Sequence, residues 1–289
     1  MASRDARAAA DRLAARLERA GSPICVGLDP VVEQLPSALA GVEPAEAIER
    51  FCLGVLDAVE GIAGAVKPQS ACFERHGPAG VAALARVMAA ASGRFEVILD
   101  AKRGDIGLTA AHYAAAARHL RADWVTANGY LGADGLRPFL EAGLGVFALV
   151  RTSNPGGDAV QSRVLQDGRT VAEMIADMVA SEGAAFAGES GWSNLGAVVG
   201  ATKARDAAAL RARMPHQLFL VPGFGAQGGG VDDVRACLGA GGGGVVVTAS
   251  RSVTYAFQGR GDVRWTDAVA EAARHFHAQL APLGAAGAA

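Results

Sequence analysis

Eight short apolar runs recur along the chain with helical segments between them, at residues 24–28, 64–66, 97–99, 124–127, 146–150, 197–199, 218–221 and 245–247. Apolar strands that alternate with helices are typical of a parallel sheet covered by helices on its faces. Eight such units are the number that closes a (β/α)₈ barrel, and the length of 289 residues suits one barrel. The pattern predicts an α/β fold, a single (β/α)₈ TIM barrel that spans residues 1–289.

The two ends of the chain are expected to differ from the barrel repeat. Residues 1–20 are rich in Ala and Arg, but acidic residues interrupt them, which is unlike a transit peptide. They predict an amphipathic N-terminal helix that Ser3 caps and Gly21 ends. Residues from about 281 to 289 predict a frayed tail.

Composition argues against several classes of partner. A net charge of −2 and a pI near 6.3 give no basic field for nucleic acid or an anionic membrane. No apolar run approaches the roughly 18 to 20 residues of a membrane-spanning helix. The four cysteines include no Cys-x-x-Cys pair, which favours a reducing, cytoplasmic compartment. His275 and His277 have no further ligands nearby, so no metal site is predicted.

Polar side chains follow the predicted strands closely. The carboxyl ends of barrel strands meet at one mouth, which is where active sites of this fold lie. Loops are polar in general, which weakens this inference, but the regular spacing favours one shared site. The strand-end residues are Asp29, Lys67, Asp100, Lys102, Asn128, Thr152, Ser153, Gln227, Ser250 and Arg251.

The segment after the third run carries the densest charge. Asp100 and Lys102 are two residues apart, so at a strand end they project to the same side. If a helix begins near Ile106, Asp105 and Thr109 lie on one face of it. The spacing alone leaves a second interpretation open, in which Asp100 and Lys102 form a solvated salt bridge and Asp105 caps the helix. The strand-end pattern favours a catalytic centre with two carboxylates around one amine.

Two glycine-rich segments lie between the seventh and eighth runs, at residues 222–230 and 241–244. Loops after the last two strands of such barrels often bind phosphate through backbone amides, and Arg251 would add a charged contact. Some of these glycines are explained by tight turns alone. The long connection at residues 154–169 begins beside the predicted site and is interpreted as a lid.

Gly223-x-Gly225-x-x-Gly228 also matches the dinucleotide-binding fingerprint. A dinucleotide domain needs several strand–helix units after the fingerprint, and here only one strand remains. The nicotinamide interpretation is therefore disfavoured.

Taken together, the strand-end motifs resemble those of the orotidine 5′-phosphate decarboxylase family, in its bacterial form with the longer chain. The resemblance covers most of the chain, and Asp-x-Lys-Arg-x-Asp-Ile at residues 100–106 is its most specific element. The motifs are Val26-Gly27-Leu28-Asp29-Pro30, Val66-Lys67-Pro68-Gln69, Asp100-Ala101-Lys102-Arg103-Gly104-Asp105-Ile106-Gly107-x-Thr109, Thr152-Ser153-Asn154-Pro155, Pro222-Gly223-x-Gly225-x-Gln227-Gly228 and Ser250-Arg251.

The resemblance implies cofactor-free decarboxylation of orotidine 5′-phosphate (OMP) to uridine 5′-phosphate (UMP), the last step of pyrimidine synthesis. Lys102 would protonate the C6 carbanion as carbon dioxide leaves, and Asp100 would position that lysine. Asp105 would lie near the departing carboxylate. Lys67 would extend the charge network and, with Asp29, hold the ribose hydroxyls.

The resemblance also implies which residues hold the substrate. Ser153 would contact the pyrimidine, while Gln227 and Arg251 would hold the phosphate. The expected substrate-binding set is Asp29, Thr109, Ser153, Pro222, Gln227 and Arg251. By the same analogy, Asp105 and Thr109 reach into the neighbouring subunit's site, which implies a homodimer with shared active sites.

The sequence disfavours two other functions. A sister enzyme on the same barrel would act on a sugar phosphate, as a decarboxylase or aldolase, through a magnesium-stabilised enediolate. That enzyme would carry an acidic metal ligand where this chain has Lys67, and a lysine there repels a cation. A catalytically silent nucleotide-binding protein is disfavoured because the charged cluster is complete.

Overall fold

The computed structural model describes residues 8–224, 229–239, 241–261 and 263–284. Eight parallel strands form a closed barrel in sequence order. The strands are β1 (Ile24–Leu28), β2 (Ala65–Pro68), β3 (Glu96–Arg103), β4 (Trp124–Ala127), β5 (Gly145–Arg151), β6 (Ser193–Val199), β7 (Gln217–Val221) and β8 (Val245–Ala249). The barrel closes where β1 pairs with β8. The predicted (β/α)₈ barrel is confirmed.

Helices surround the barrel. The α-helices are α1 (Ala9–Ala20), α2 (Pro44–Val59), α3 (Ser70–Glu74), α4 (Gly77–Ala91), α5 (Gly107–His119), α6 (Arg137–Glu141), α7 (Asp158–Gln161), α8 (Val171–Gly183), α9 (Ala204–Arg213), α10 (Val231–Arg235), α11 (Arg251–Thr254) and α12 (Trp265–Leu280). Short 3₁₀ helices lie at Val32–Gln34, Ser37–Leu39, Gly129–Leu131, Ala133–Gly135, Pro155–Gly157, Ala184–Phe186, Ala201–Lys203 and Ala281–Leu283. Within the described part of the chain, no helix has the length and apolarity needed to cross a membrane.

The strands are buried on both faces, which is why they read as continuous apolar runs. Side chains fill the barrel interior, where the rings of Trp124 and Phe147 stack with centroids 4.4 Å apart. Gly145 leaves room for the indole, since a Cβ there would lie 2.2 Å from Trp124 Cδ2. The interior below the mouth is a packed core, so a ligand site must lie at an end of the barrel.

Helix α1 covers the amino end of the barrel. Its Leu13 and Leu17 belong to the same apolar cluster as the barrel interior. The Asp11 carboxylate accepts hydrogen bonds from backbone N–H groups in the segment that leads into β6. The bond from Ser190 N is 2.8 Å long. Gly21 ends the helix with a left-handed backbone, φ 72°. The carboxyl end is left as the open mouth, and the predicted cap Ser3 lies outside the described residues.

The carboxyl-terminal end differs from the expected frayed tail. After α12 the chain forms a 3₁₀ turn at Ala281–Leu283, and the Leu283 side chain is buried against the core. Burial of an apolar side chain opposes fraying, so that expectation is wrong for this turn. Residues 285–289 lie outside the described residues.

Candidate active site

A cavity of about 480 Å³ opens at the carboxyl end of the barrel. Every strand contributes to it, either directly or through the residues that follow it. Its lining is Asp29, Lys67, Gln69, Asp100, Lys102, Thr126, Leu149, Thr152, Ser153, Asn154, Val198, Leu220, Pro222, Gly223, Phe224, Thr248, Ser250 and Arg251. The structure therefore brings Asp29, Lys67, Asp100, Lys102, Ser153, Pro222 and Arg251 of the predicted site together.

The centre of the cavity is one carboxylate between two amines. Lys102 Nζ lies 2.6 Å from Asp100 Oδ1, and Lys67 Nζ lies 2.6 Å from Asp100 Oδ2. The Asp100 and Lys67 side chains are each 7% exposed, whereas that of Lys102 is 49% exposed. Lys102 is thus the amine that faces the open part of the cavity. The salt-bridge interpretation is correct about the pair, but the pair is not a solvated surface feature.

The charges in this centre hold one another ionised. Burial alone would raise the pKa of Asp100, but the ammonium groups of Lys67 and Lys102 lower it by more, so it lies well below its usual range. Burial would lower the pKa of Lys67, but the carboxylates of Asp100 and Asp29 outweigh burial and raise it. Asp100 and Lys67 are therefore both charged at neutral pH.

Two further side chains orient Asp100, and sequence reasoning did not place them in the site. Thr126 Oγ1 donates to Asp100 Oδ1 at 2.8 Å, and Gln69 Nε2 donates to Asp100 Oδ2 at 3.2 Å. With the two lysines, Asp100 accepts four hydrogen bonds, which fixes the carboxylate plane. Thr126 lies inside an apolar run and gave no signal, whereas Gln69 ends the Val66–Gln69 motif.

Asp29 presents a second carboxylate to the cavity. Its Oδ1 is buried and has no hydrogen-bond partner among the described residues. The segment around it is held by Tyr255, whose hydroxyl donates to Asp29 O at 3.1 Å and accepts from Val31 N at 2.8 Å. An unpaired buried carboxylate oxygen is costly, so it suits a site where a ligand hydroxyl binds.

The segment after β5 is held at the mouth by Gln161. Its Oε1 accepts from Thr152 N at 2.9 Å, and its Nε2 donates to Thr152 Oγ1 at 2.8 Å. The predicted 154–169 connection is more ordered than expected, because it contains the 3₁₀ helix Pro155–Gly157 and helix α7. Its role as a lid stays a prediction.

The far side of the cavity is formed by the ends of β7 and β8. Pro222, Gly223 and Arg251 line it, and Gly223 has a left-handed backbone with φ 96°. Arg251 makes no ion pair with any described residue, so its guanidinium is available to an anion. Gln227 falls outside the described residues, as do Gly225 and Gly228 of the dinucleotide fingerprint.

Asp105 and Thr109 do not line the cavity of their own chain. The predicted shared helix face is wrong, because α5 begins at Gly107 and Asp105 lies in the link before it. Gly107 starts the helix with a left-handed backbone, φ 52°, so the backbone between the two residues is not a regular helix. Thr109 is exposed in the first turn of α5, and Asp105 is partly exposed ahead of it.

A (β/α)₈ barrel with a Lys–Asp–Lys centre at its mouth is typical of an enzyme, and the arginine across the cavity, which makes no ion pair with a described residue, suits an anionic ligand. Residues 22–264 match the Orotidine 5′-phosphate decarboxylase / HUMPS family. The chain belongs to this family, and the resemblance inferred from its motifs is confirmed.

Individual relatives match over nearly the whole chain. An orotidine 5′-phosphate decarboxylase of Rhodopirellula baltica is 41% identical over 94% of this chain and 98% of its own. One of Roseiflexus castenholzii is 43% identical over 82% of this chain and 85% of its own. Among solved structures, the OMP decarboxylase of Leishmania donovani superposes with a TM-score of 0.78 at 33% identity, covering 96% of this chain and 98% of that chain.

Proposed function

We propose that this chain catalyses the cofactor-independent decarboxylation of OMP to UMP, the last step of de novo pyrimidine synthesis. The observation that carries the proposal is the half-exposed Lys102 ammonium, held 2.6 Å from Asp100 at the mouth of the barrel. The family and the names of the relatives support the choice of substrate.

The reaction breaks the bond between C6 and the carboxylate carbon and leaves an electron pair on C6. Carbon dioxide departs, and Lys102 Nζ gives C6 the proton that replaces it. A vinyl carbanion is strongly basic, so the site must stabilise it with charges that are already in place. Lys67 and Lys102, held by Asp100, supply such a fixed array, and in this proposal Lys102 would lie where negative charge develops.

The remaining cavity residues are assigned to the other parts of the nucleotide. Asp29 Oδ1 and Lys67 would bind the ribose hydroxyls, since that carboxylate oxygen has no partner among the described residues. Ser153 would contact the pyrimidine, with Thr152 beside it fixed by Gln161. Arg251 and Gln227 would hold the phosphate, with Pro222 and Gly223 forming that wall. Binding energy from the remote phosphate would then favour the transition state.

The active form is proposed to be a homodimer in which Asp105 and Thr109 complete the partner's site. Apolar side chains next to these two residues in the chain are exposed, with Ile106 at 58% and Leu108 at 74% exposure. Exposed apolar patches of this kind mark protein interfaces. The four free cysteines support the further proposal of a cytoplasmic location.

The magnesium-dependent alternative conflicts with Lys67. Its ammonium lies 2.6 Å from Asp100 Oδ2 and occupies that carboxylate oxygen. A divalent ion there would meet a buried positive charge whose pKa is raised, not lowered. We therefore assign no enediolate chemistry to this site.

The first test is turnover of OMP, followed by its loss of ultraviolet absorbance. We expect the purified chain to form UMP and carbon dioxide at the same rate with and without excess EDTA, because the proposed proton donor is an amine. A rate that falls with EDTA and returns with Mg²⁺ would favour the sister chemistry. No turnover of OMP under either condition would contradict the proposal.

Arg251→Ala tests the phosphate contact. We expect kcat/KM for OMP to fall by about 10- to 100-fold, the loss of one charge-assisted contact. The reaction of orotidine, which lacks the phosphate, should change by less than about twofold. Arg50→Ala, at an exposed arginine on α2, is the matched control and should leave both reactions unchanged. Equal losses on the two substrates would contradict this role for Arg251.

A further inference from the structure

Thr126 makes contacts unlike those of the other polar side chains around the cavity. It lies in β4, is 1% exposed, and its hydroxyl makes two hydrogen bonds. Oγ1 donates to Asp100 Oδ1 at 2.8 Å and accepts from the backbone N–H of Lys102 at 3.0 Å. One hydroxyl therefore touches both the carboxylate and the main chain of the residue that carries the amine.

The main chain at Lys102 is unusual in a way that this contact explains. Between the pairs Leu99↔Val125 and Arg103↔Ala127, β3 advances four residues while β4 advances two. The extra residues include Lys102, whose φ of 45° is left-handed. A non-glycine residue in this region is costly and persists only where its surroundings hold it. The Thr126 hydroxyl supplies the acceptor for the displaced N–H.

We propose that Thr126 is a positioning residue, which holds Lys102 and Asp100 in register for proton transfer. The inference rests on the proposed function and deepens it. Without the hydroxyl, Asp100 keeps the ammonium partners but loses one of the two hydrogen bonds to Oδ1, and Lys102 N–H loses its acceptor. The amine then samples positions away from C6, which lowers the rate of the chemical step and leaves binding intact.

Gln69 provides a comparison within the same site. Its amide donates to Asp100 Oδ2 at a longer distance, 3.2 Å. Among the described residues, it makes no hydrogen bond to Lys102. Loss of its amide is expected to disturb one oxygen of Asp100, whereas loss of the Thr126 hydroxyl disturbs both Asp100 and the backbone of Lys102. Gln69→Leu should therefore lower kcat less than the Thr126 variant does.

The test uses Thr126→Val, which keeps the shape and removes the hydroxyl, and Thr126→Ser, which keeps the hydroxyl. We expect Thr126→Val to lower kcat by about 10- to 100-fold while Kd for UMP changes by less than about twofold. Thr126→Ser should stay within about threefold of the native kcat. Hydrogen exchange of the peptide that contains Lys102 should accelerate in Thr126→Val and not in Thr126→Ser.

The outcomes separate this inference from the proposed function. An inactive native chain contradicts the function, and the exchange measurement then still tests the Lys102 contact. If the native chain is active and Thr126→Val keeps more than about half of the native kcat, the positioning role is overturned. Equal losses in Thr126→Ser and Thr126→Val would show that the methyl group matters, which also overturns it. If Thr126→Val does not fold, Thr126→Ala must show the same loss of kcat.

Discussion

Lys102→Ala is expected to lower kcat for OMP by at least about a hundredfold, the contribution that a general acid typically makes. The proton donor is lost, while Asp100 keeps its ion pair with Lys67 at 2.6 Å. Because the buried carboxylate is still paired, the fold should survive. Thermal unfolding and Kd for UMP check that survival, and stopped assays that measure UMP give kcat.

Lys102→Arg separates charge from proton donation. The guanidinium keeps a positive charge at this position but does not release a proton at neutral pH. We expect this variant to be as inactive as Lys102→Ala. A Lys102→Ala enzyme that keeps more than about a hundredth of native kcat would refute the role, and an active Lys102→Arg would show that charge alone suffices.

The chain has three lysines, and two of them lie in this cavity. Its remaining cationic side chains are arginines, many of which form exposed ion pairs, such as Arg86 with Glu49 and Arg137 with Glu182. Lysine is the compact ammonium that can transfer a proton, whereas arginine is suited to fixed pairing. The distribution agrees with a chemical role for Lys67 and Lys102.

The eight strands were predictable because burial on both faces makes each one a continuous apolar run. The ends of the strands were less predictable, because some strands also contain polar residues. β3 was expected to stop at Leu99 but runs to Arg103, because the charged residues that serve the site are part of the strand. β6 begins at Ser193, four residues before the expected start, in a stretch that includes Asn194 and Gly196.

Within the candidate site, charge was the signal that sequence reasoning could use. Asp29, Lys67, Asp100 and Lys102 stand out after apolar runs because ionised groups are rarely placed there without a use. Thr126 does not stand out, because threonine is common in strands. Its proposed role depends on a hydrogen bond to Lys102 in β3. Such a contact depends on register, which the local pattern does not contain.

Asp105 is a second residue whose position could not be predicted from local spacing. A four-residue spacing places two side chains on one helix face only if both are helical, and that depends on where the helix begins. α5 begins at Gly107, so the spacing argument fails even though the residues remain candidates for the partner's site. Whether these residues contribute to the site of their own chain or to that of a partner depends on how the chains assemble.

Asp105→Ala and Lys102→Ala subunits, each inactive alone, are expected to regain activity when combined in one dimer. Chains carrying different affinity tags are co-expressed, and two purification steps isolate the heterodimer. If Asp105 serves the partner's site, one site of the heterodimer collects both substitutions and the other is native. Symmetry then sets the activity at about half that of the native dimer.

The matched control combines a native chain with a chain that carries both substitutions. In a shared-site dimer each site then has one defect, so this heterodimer should be inactive. If Asp105 instead acts within its own chain, the two results exchange: the control keeps about half of native activity and the Lys102→Ala with Asp105→Ala heterodimer has none. The pair of measurements therefore assigns Asp105 to one subunit or the other, and an active control would refute the shared site. The exposed apolar residues beside Asp105, with Leu108 at 74% exposure, are the surface on which we expect the two chains to meet.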